Sequence, residues 1–409
     1  MIGVAMWWAY AAVSFVAWLL AWPFLSIAVA LGRRDIALRM GHVPPGLPRG
    51  AVWAHAASVG EATALKAVLD LVVRRTGPRG LVVSTMTVTG MARAGRMFRS
   101  PVTLAPLDSP VPAARALARL APRSLIVMET ELWPVWLLLA SRRAKLAWVN
   151  GRISDRSYPW YRLARPLMGR VLQRFSLLCV ISPEDASRAV ALGAPRSRVR
   201  VTGNVKADLV VPARPPRGIR RGRWVVAGST RPGEEKAVLE AFRMARTRAP
   251  DLKLCLAPRH LDRAGEVLSL ARGAGWTAEL RSRGGRGRAD ILVLDTHGEL
   301  ASFYRLALAA FVGGTLVKVG GHNVLEPAAA GVPVLFGPHT ANVRGYAAGL
   351  VSSGGGFTVG SGTGLGARFI TLLEKGRARA SGRRAAAYVR SVKGAARRTA
   401  AELKRAGIA

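Results

Sequence analysis

Acidic residues are scarce in this 409-residue chain, where 23 Asp and Glu stand against 61 Lys and Arg for a formal net charge of +38. So basic a chain draws polyanions, whether nucleic acid, an anionic membrane surface or a phosphorylated substrate, and the charge alone does not choose among them. Many of the arginines fall on amphipathic helical stretches, as with Arg93, Arg96 and Arg99 or Arg115 and Arg119, the pattern of a solvated face. Cysteine is nearly absent. Cys179 and Cys255 both sit inside apolar runs, which excludes a disulfide framework and fits a reducing, cytoplasmic compartment. His55, His260, His297, His322 and His339 lack ligand spacing, and no Asp-x-Asp pair is present to hold Mg2+ under a diphosphate. Also missing are a P-loop, a Gly-x-Ser-x-Gly elbow, and any RRM, helix-turn-helix or zinc-finger signature. Nucleic acid is therefore not an expected partner, and no metal or other cofactor is expected.

From Ile2 to Gly32 the chain has no charged residue, and Trp7, Trp8, Trp18 and Trp22 precede Arg33-Arg34. About twenty apolar residues suffice to span a bilayer as a helix. Residues 1–32 are read as a membrane anchor, with Pro23 expected to kink or end the helix. Ala28-Val29-Ala30 resembles a signal-peptide processing site, but no basic segment precedes the run. The arginines that follow place the rest of the chain on the cytoplasmic side by the positive-inside rule. An apolar helix lying in the membrane plane is the other reading.

Beyond Met40 to Arg49, which is loop-like with Pro44, Pro45 and Pro48, strands and helices alternate. Strands are expected at Val52 onward, Gly80 to Thr85, Val102 to Leu104, Ser124 to Met128, Lys145 to Asn150, Leu177 to Ile181 and Val199 to Thr202. That alternation indicates a parallel, doubly wound α/β sheet. The Pro-rich segment 211–218 reads as an inter-domain linker, after which the pattern restarts with strands at Trp224 to Ala227, Leu252 to Ala257, Ile291 to Leu294, Ala309 to Val312 and Val332 to Phe336. The expected organisation is an anchor at 1–32, a Rossmann-like domain at 33–211, a second at 212–385, and a basic C-terminal helix at 386–409. Gly275 to Asp290, rich in Gly and Arg, reads as a flexible surface loop.

The stretch Val52-Trp53-Ala54-His55-Ala56-Ala57-Ser58-Val59-Gly60-Glu61 reads as a buried strand, a turn of small residues, and a helix opening at or just before Glu61, with an apolar run to Val73. A carboxylate there meets the positive end of a helix dipole, is expected to stay ionised at neutral pH, and can serve as a general base. The same residue type also simply favours a helix N-terminus. In the second half the dense loop is Gly313-Gly314-Thr315 followed by Gly320-Gly321-His322-Asn323-Val324-Leu325-Glu326-Pro327. Its glycines let backbone N–H groups approach a phosphate or sugar, a helix opening near Asn323 offers its N-terminus to an anion, and Glu326 can accept from a ribose diol. Pro258-Arg259-His260 places a cation directly after a strand. Asp295-Thr296-His297-Gly298-Glu299-Leu300 has the form of a helix cap. Two α/β domains facing each other, a carboxylate in the first and anion loops in the second, suggest group transfer from a nucleotide donor.

Seven separated segments, taken together, resemble the 3-deoxy-D-manno-octulosonic acid (Kdo) transferases of lipopolysaccharide biosynthesis, glycosyltransferase family 30. They are Trp53 to Glu61, Glu129 to Pro134, Asn150 to Ser157, Val201 to Lys206, Pro258 to His260, Gly298 to Leu300 and Asn323 to Pro327. The resemblance is colinear over nearly the whole chain. It implies a GT-B type fold, two Rossmann-like domains facing a central cleft, and an inverting, metal-independent transfer of Kdo from CMP-Kdo to lipid IVA, the lipid A precursor. The enzyme would sit on the bacterial inner membrane, its catalytic domains cytoplasmic, and touch an anionic membrane surface. By the same resemblance Glu61 would be the general base, Glu131 and Lys206 would stabilise the transition state, and Pro258, Arg259, Gly298, Glu299, Leu300, Asn323, Val324, Leu325 and Glu326 would hold CMP.

The chain departs from that family pattern in a few places. Arg231 stands where a histidine is usual and Pro232 where an acid is, Val135 replaces an asparagine, and Leu308 replaces an aspartate. These fall outside the base and the CMP set and bear on details of the donor pocket. Another GT-B nucleotide-sugar transferase, or a nucleotide-sugar 2-epimerase, is the alternative.

Overall fold

The computed structural model describes residues 2–72, 80–211, 213–219 and 222–408. Val73, the expected end of the first helical run, and Pro212, the expected first residue of the second domain, lie outside the described residues. The chain divides into two compact units, Met1–Leu209 with Lys393–Ala409, and Val210–Val392.

The first unit is built on a seven-stranded sheet. Its strands are β1 Val52–His55, β2 Leu81–Thr85, β3 Val102–Leu104, β4 Ser124–Met128, β5 Lys145–Gly151, β6 Phe175–Val180 and β7 Val199–Val201. All pairs are parallel, in the order β3-β2-β1-β4-β5-β6-β7. Every residue of β1, β2 and β4 is buried, because helices cover both faces of the sheet. Trp53, Val82, Leu125, Val127, Trp136 and Trp148 form the core on one side, and Val52, Ala54, Leu65, Val68, Val83 and Ile126 form it on the other.

The second unit repeats the plan with β8 Arg223–Thr230, β9 Leu252–Pro258, β10 Ala278–Leu280, β11 Ile291–Val293, β12 Ala307–Val312, β13 Val334–Phe336 and β14 Gly356–Thr358. These too are parallel, ordered β10-β11-β9-β8-β12-β13-β14. The strand order reverses between β1 and β4 in one sheet and between β8 and β12 in the other. Loops leaving the carboxyl ends of those strands diverge to opposite faces, and the crevice between them is where open α/β sheets bind ligands.

Several expectations change. The segment Gly275 to Asp290 is no loose loop: it contributes β10, and the Glu279 carboxylate accepts from the Arg288 N–H at 2.9 Å while also taking that of Gly287, so its glycine turn is tied down. Residues 386–409 are not one basic helix. The helix Arg377–Val392 belongs to the second unit, Gly394 in the left-handed region breaks it, and the helix Ala395–Arg405 packs on the first unit. There Ala395, Ala400, Leu403 and Ile408 join the core around Leu65, and Asp208 caps the new helix by accepting from Gly394 and Ala396 at 2.6 and 2.7 Å. Spacing of small apolar residues outweighs the surrounding basic ones. Pro23 does not end the first helix, which runs Ile2–Ala30 and is the one described helix long and apolar enough to cross a membrane. Its early turns dock on the first unit: Trp7 and Ala11 enter the core beside Trp136, and the Tyr10 hydroxyl donates to Asp108 at 3.0 Å.

Candidate functional site

In the first unit the switch-point loops carry carboxylates. The helix after β1 is Val59–Val72, and Ser58 and Glu61 form a cap at its start: the Glu61 N–H donates to Ser58 Oγ at 3.3 Å, and the Glu61 carboxylate accepts from Ser58 Oγ at 2.9 Å and from the Ala57 N–H at 3.0 Å. Glu61 thus does serve the helix end. Its acidity, however, moves opposite to the dipole expectation. Burial and the charge of Glu129 push the Glu61 carboxyl above its usual range, and the bonds from Ser58 and Ala57 and the charge of Lys206 offset this only in part. A raised carboxyl is a stronger base once ionised.

The loop after β4 supplies Glu129 and Glu131, and the structure separates their roles. Glu129 has φ +56°, a left-handed conformation uncommon for a residue with a side chain. Asn150, at the end of β5, is left-handed as well; its amide donates to Glu129 Oε1 at 3.1 Å and its carbonyl accepts from the Val205 N–H at 2.8 Å. Lys206, on the short turn Val205–Ala207, puts Nζ 2.6 Å from Glu129 Oε1. Lys206 is therefore partnered by Glu129 and not by Glu131. Glu131 lies deeper, with Oε2 2.7 Å from Trp133 Nε1 and 3.3 Å from His55 Nε2. Burial pushes the Glu131 carboxyl up, but the bonds from His55 and Trp133, with the charge of Arg39, outweigh it and hold it below the usual range. Two carboxyls in one unit are thus driven in opposite directions by their surroundings.

In the second unit the loops after β8, β9 and β12 converge. Gly313 makes this possible, since a Cβ there would stand 2.4 Å from Ser229 O and 2.6 Å from Thr230 Cα. Arg231 donates through Nε to His322 Nε2 at 3.2 Å and through its guanidinium to His260 Nε2 at 2.7 Å. Burial, with the charges of Arg231, Arg259 and His260, lowers the His322 pKa to about 4, so the ring is neutral and free to accept. Glu326 feels Arg259 too, although burial leaves its carboxyl above the usual range. Arg231, Arg259, His260, His322 and Glu326 therefore share one region. Beneath it lies Glu234, 1% exposed, whose Oε2 accepts from Arg231 N (2.9 Å) and Gly314 N (2.7 Å) and whose Oε1 accepts from Thr315 N and Leu316 N (both 2.9 Å).

The residues expected to hold the donor differ in their surroundings. The helix near Asn323 is only Leu325–Ala329, and its start is occupied by Asn323 itself, whose Oδ1 accepts from the Leu325 N–H at 3.0 Å while its amide donates to Glu326 at 3.0 Å. The Leu325 N–H is therefore already taken by Asn323. Val324 and Leu325 bury their side chains in the core, which leaves only backbone for a ligand, and Pro258 is buried as well. Glu299, beside the left-handed Gly298, is held by Arg281 at 2.9 Å and by Thr296, while Leu300 reaches the backbone at Gly228. The departure at Arg231 is also less peripheral than the sequence suggests, since its side chain bridges His260 and His322.

Glu129, Asn150, His55, Arg231, His260 and His322 are the residues that sequence reasoning left without roles. Asn150, His55 and His260 lie inside the motif segments, and their neighbours there were the available signal. Among the described residues no group of three His, Cys, Asp or Glu is placed to hold a metal ion.

Two parallel sheets in separate units, with polar residues gathered at each switch point, define a GT-B class protein. Solved structures share that fold: the UDP-GlcNAc 2-epimerase from Neisseria meningitidis bound to UDP-GlcNAc (12% identity, TM-score 0.61, 87% of this chain and 100% of that one) and a glycosyltransferase from Rickettsia africae (12%, 0.60, 88% and 98%). A family model described as 3-deoxy-D-manno-octulosonic-acid transferase (kdotransferase) matches residues 34–209. The chain is 32% identical over 384 residues to the 3-deoxy-D-manno-octulosonic acid transferase of Bordetella pertussis, covering 88% of each, and 33% identical over 336 residues to that of Haemophilus influenzae, covering 78% of each. It is also 32% identical over 312 residues to a bifunctional glycosyltransferase/methyltransferase of Fusobacterium nucleatum, of which it spans about half, 48%. The chain belongs to the Kdo transferase family and is an enzyme of that class.

Proposed function

We propose that this enzyme takes Kdo from CMP-Kdo and attaches it to a hydroxyl of lipid IVA, with inversion at the anomeric carbon and without a metal ion. The observation that carries the reading is the raised, hydrogen-bonded carboxyl of Glu61 at the carboxyl end of β1, in the same unit as the Glu129–Lys206 pair. A sugar hydroxyl is too weak an acid to ionise first, so Glu61 accepts its proton as the oxygen bonds to the anomeric carbon. The bond to the CMP phosphate breaks with its electron pair going to phosphate. Glu131, an anion held in place, stabilises positive charge at the anomeric carbon, and Lys206, oriented by Glu129, completes the charge pattern in that unit. In the second unit Arg259, with Asn323, Glu326 and the Gly298 to Leu300 turn, holds CMP.

The helix Ile2–Ala30 anchors the enzyme to the bacterial inner membrane, and Arg33-Arg34 keep the catalytic units on the cytoplasmic side. The net charge of +38 attracts both the anionic bilayer and a phosphorylated lipid acceptor.

The test is an assay with CMP-Kdo generated in place and lipid IVA in detergent, with and without EDTA. A gain of one or more Kdo masses on the lipid, unaffected by EDTA and with anomeric configuration opposite to the donor's by NMR, is the expected result. Absence of mass gain, retained configuration, or loss of activity in EDTA overturns the corresponding element of the reading.

Arg231→Ala is expected to raise the donor KM by about tenfold to a hundredfold, the loss of one charge-assisted hydrogen bond to an anion. The backbone N–H at position 231 still reaches Glu234, so the unit should keep its thermal stability. Steady-state kinetics at varied CMP-Kdo checks this, and an unchanged KM would remove Arg231 from the donor site.

A further inference from the structure

His55 sits wholly buried between three fixed partners, and their chemistry decides where its proton lies. Glu131 Oε2 stands 3.3 Å from Nε2, and a carboxylate can only accept, so Nε2 must carry hydrogen. On the other side Nδ1 is 2.9 Å from Ser84 Oγ, and Ser84 Oγ is 2.8 Å from Trp53 Nε1. An indole N–H can only donate. Ser84 therefore accepts from Trp53, and since Nδ1 is the one acceptor paired with Ser84 Oγ among the described residues, its hydroxyl hydrogen is satisfied by donation to a bare Nδ1. The arrangement that gives each of these donors an acceptor runs Trp53 N–H to Ser84, Ser84 O–H to His55 Nδ1, His55 Nε2–H to Glu131. Trp136 locks the ring plane by an edge-on contact, 5.2 Å between centroids at 83°.

We infer that His55, set in its Nε2–H tautomer by Trp53 and Ser84, is a positioning residue that holds Glu131 as a full anion in one orientation. The inference rests on the reading of Glu131 as the charge that stabilises the transition state. His55 and Trp133 both donate to the same oxygen, Oε2, and with His55 in the Nε2–H tautomer they fix the carboxylate without bringing a charge that would cancel its own. Arg39, whose charge also reaches Glu131, has its guanidinium bonded to the carbonyls of Met86 and Ala105. Glu129 is treated differently, for it is directly paired with Lys206. One loop thus presents a compensated and an uncompensated carboxylate, two residues apart.

The decisive experiment combines 15N NMR of the full-length enzyme in detergent, labelled at histidine, with kinetics of three variants. The expected spectrum assigns to His55 a protonated Nε2 and a bare Nδ1 at neutral pH, and Ser84→Ala shifts it toward the Nδ1–H form. His55→Leu is expected to lower kcat by about 10²-fold with the donor KM unchanged, and Ser84→Ala by about tenfold. His55→Gln, whose side-chain amide can still donate toward Glu131, restores kcat to within about fivefold of the native enzyme. A purely structural histidine would instead give equal losses for Leu and Gln in step with thermal stability. An Nδ1–H ring in the native enzyme, or native kcat in His55→Leu, overturns the inference. Failure of the native protein to transfer Kdo would sink the proposed reaction, while the NMR result would still decide the tautomer by itself.

Discussion

Glu61→Gln is expected to lose about three orders of magnitude in kcat, with donor and acceptor KM within a few fold of native, because a general base contributes typically ~10²–10⁴-fold. Glutamine keeps the size of the side chain and can still accept from the Ala57 N–H, so the helix start should survive. The same change is expected to stabilise the protein at neutral pH. In the folded enzyme burial and Glu129 raise the Glu61 carboxyl above its unfolded value, so the folded state binds the proton more tightly. Its contribution to stability is present at pH below the unfolded carboxyl pKa and is lost as pH rises through the higher folded one. Above that window the charged group is a liability which Gln removes. A higher thermal midpoint at pH 7.5 together with lost turnover is the predicted pair, and the pH–rate profile of the native enzyme should show its acid limb above the ordinary carboxylate range. Native turnover in the variant would reduce Glu61 to its capping role; loss of both stability and turnover would show that the cap matters more than the base.

Glu234→Gln is expected to cost about 2–4 kcal/mol of stability in the second unit, although the two side chains have the same shape. Each carboxylate oxygen accepts two backbone N–H groups, and an amide nitrogen in place of either oxygen would face two donors and leave them unsatisfied in the interior. Those N–H groups belong to Arg231 and to Gly314, Thr315 and Leu316, so the variant should also loosen the switch-point loops and weaken CMP binding. Glu235→Gln provides the contrast. It loses one ion pair, with Arg263 at 2.8 Å, and keeps the loop network. Calorimetric unfolding and CMP titration of both variants give the result; equal behaviour would mean that the four backbone bonds to Glu234 contribute nothing special.

Legibility from sequence followed the range of the forces involved. Twelve strands could be read because nearly all are short apolar runs bounded by turn residues, the local mark of a strand buried on both faces, the exposed edge strand β7 being the exception. β10 and β14 were missed because Ala278-Glu279-Leu280 and Gly356-Phe357-Thr358 are not apolar runs, and the first lies in a segment dominated by Gly and Arg. The last helix was misjudged for a related reason. Its basic residues are conspicuous, whereas the small apolar stripe that docks it on the first unit matters only once a partner surface exists.

Candidate residues within one strand-turn-helix unit were equally readable. Glu61 is fixed relative to β1 by five intervening residues, and Arg259 follows the last residue of β9 directly. The sequence by itself therefore determined the α/β class, the apolar N-terminal helix, and which polar side chains leave the carboxyl ends of strands. Tertiary structure alone decided their partners: Lys206 with Glu129, His55 with Glu131, Arg231 with His260 and His322. Those pairs join residues on or after different strands, and the order in which parallel strands pair is set by the packing of whole helix and sheet layers, on which local spacing has no hold. The left-handed backbones of Glu129, Asn150 and Ser229 belong to the same category, since nothing in those residue types demands such a conformation and only the surrounding sheet holds it in place.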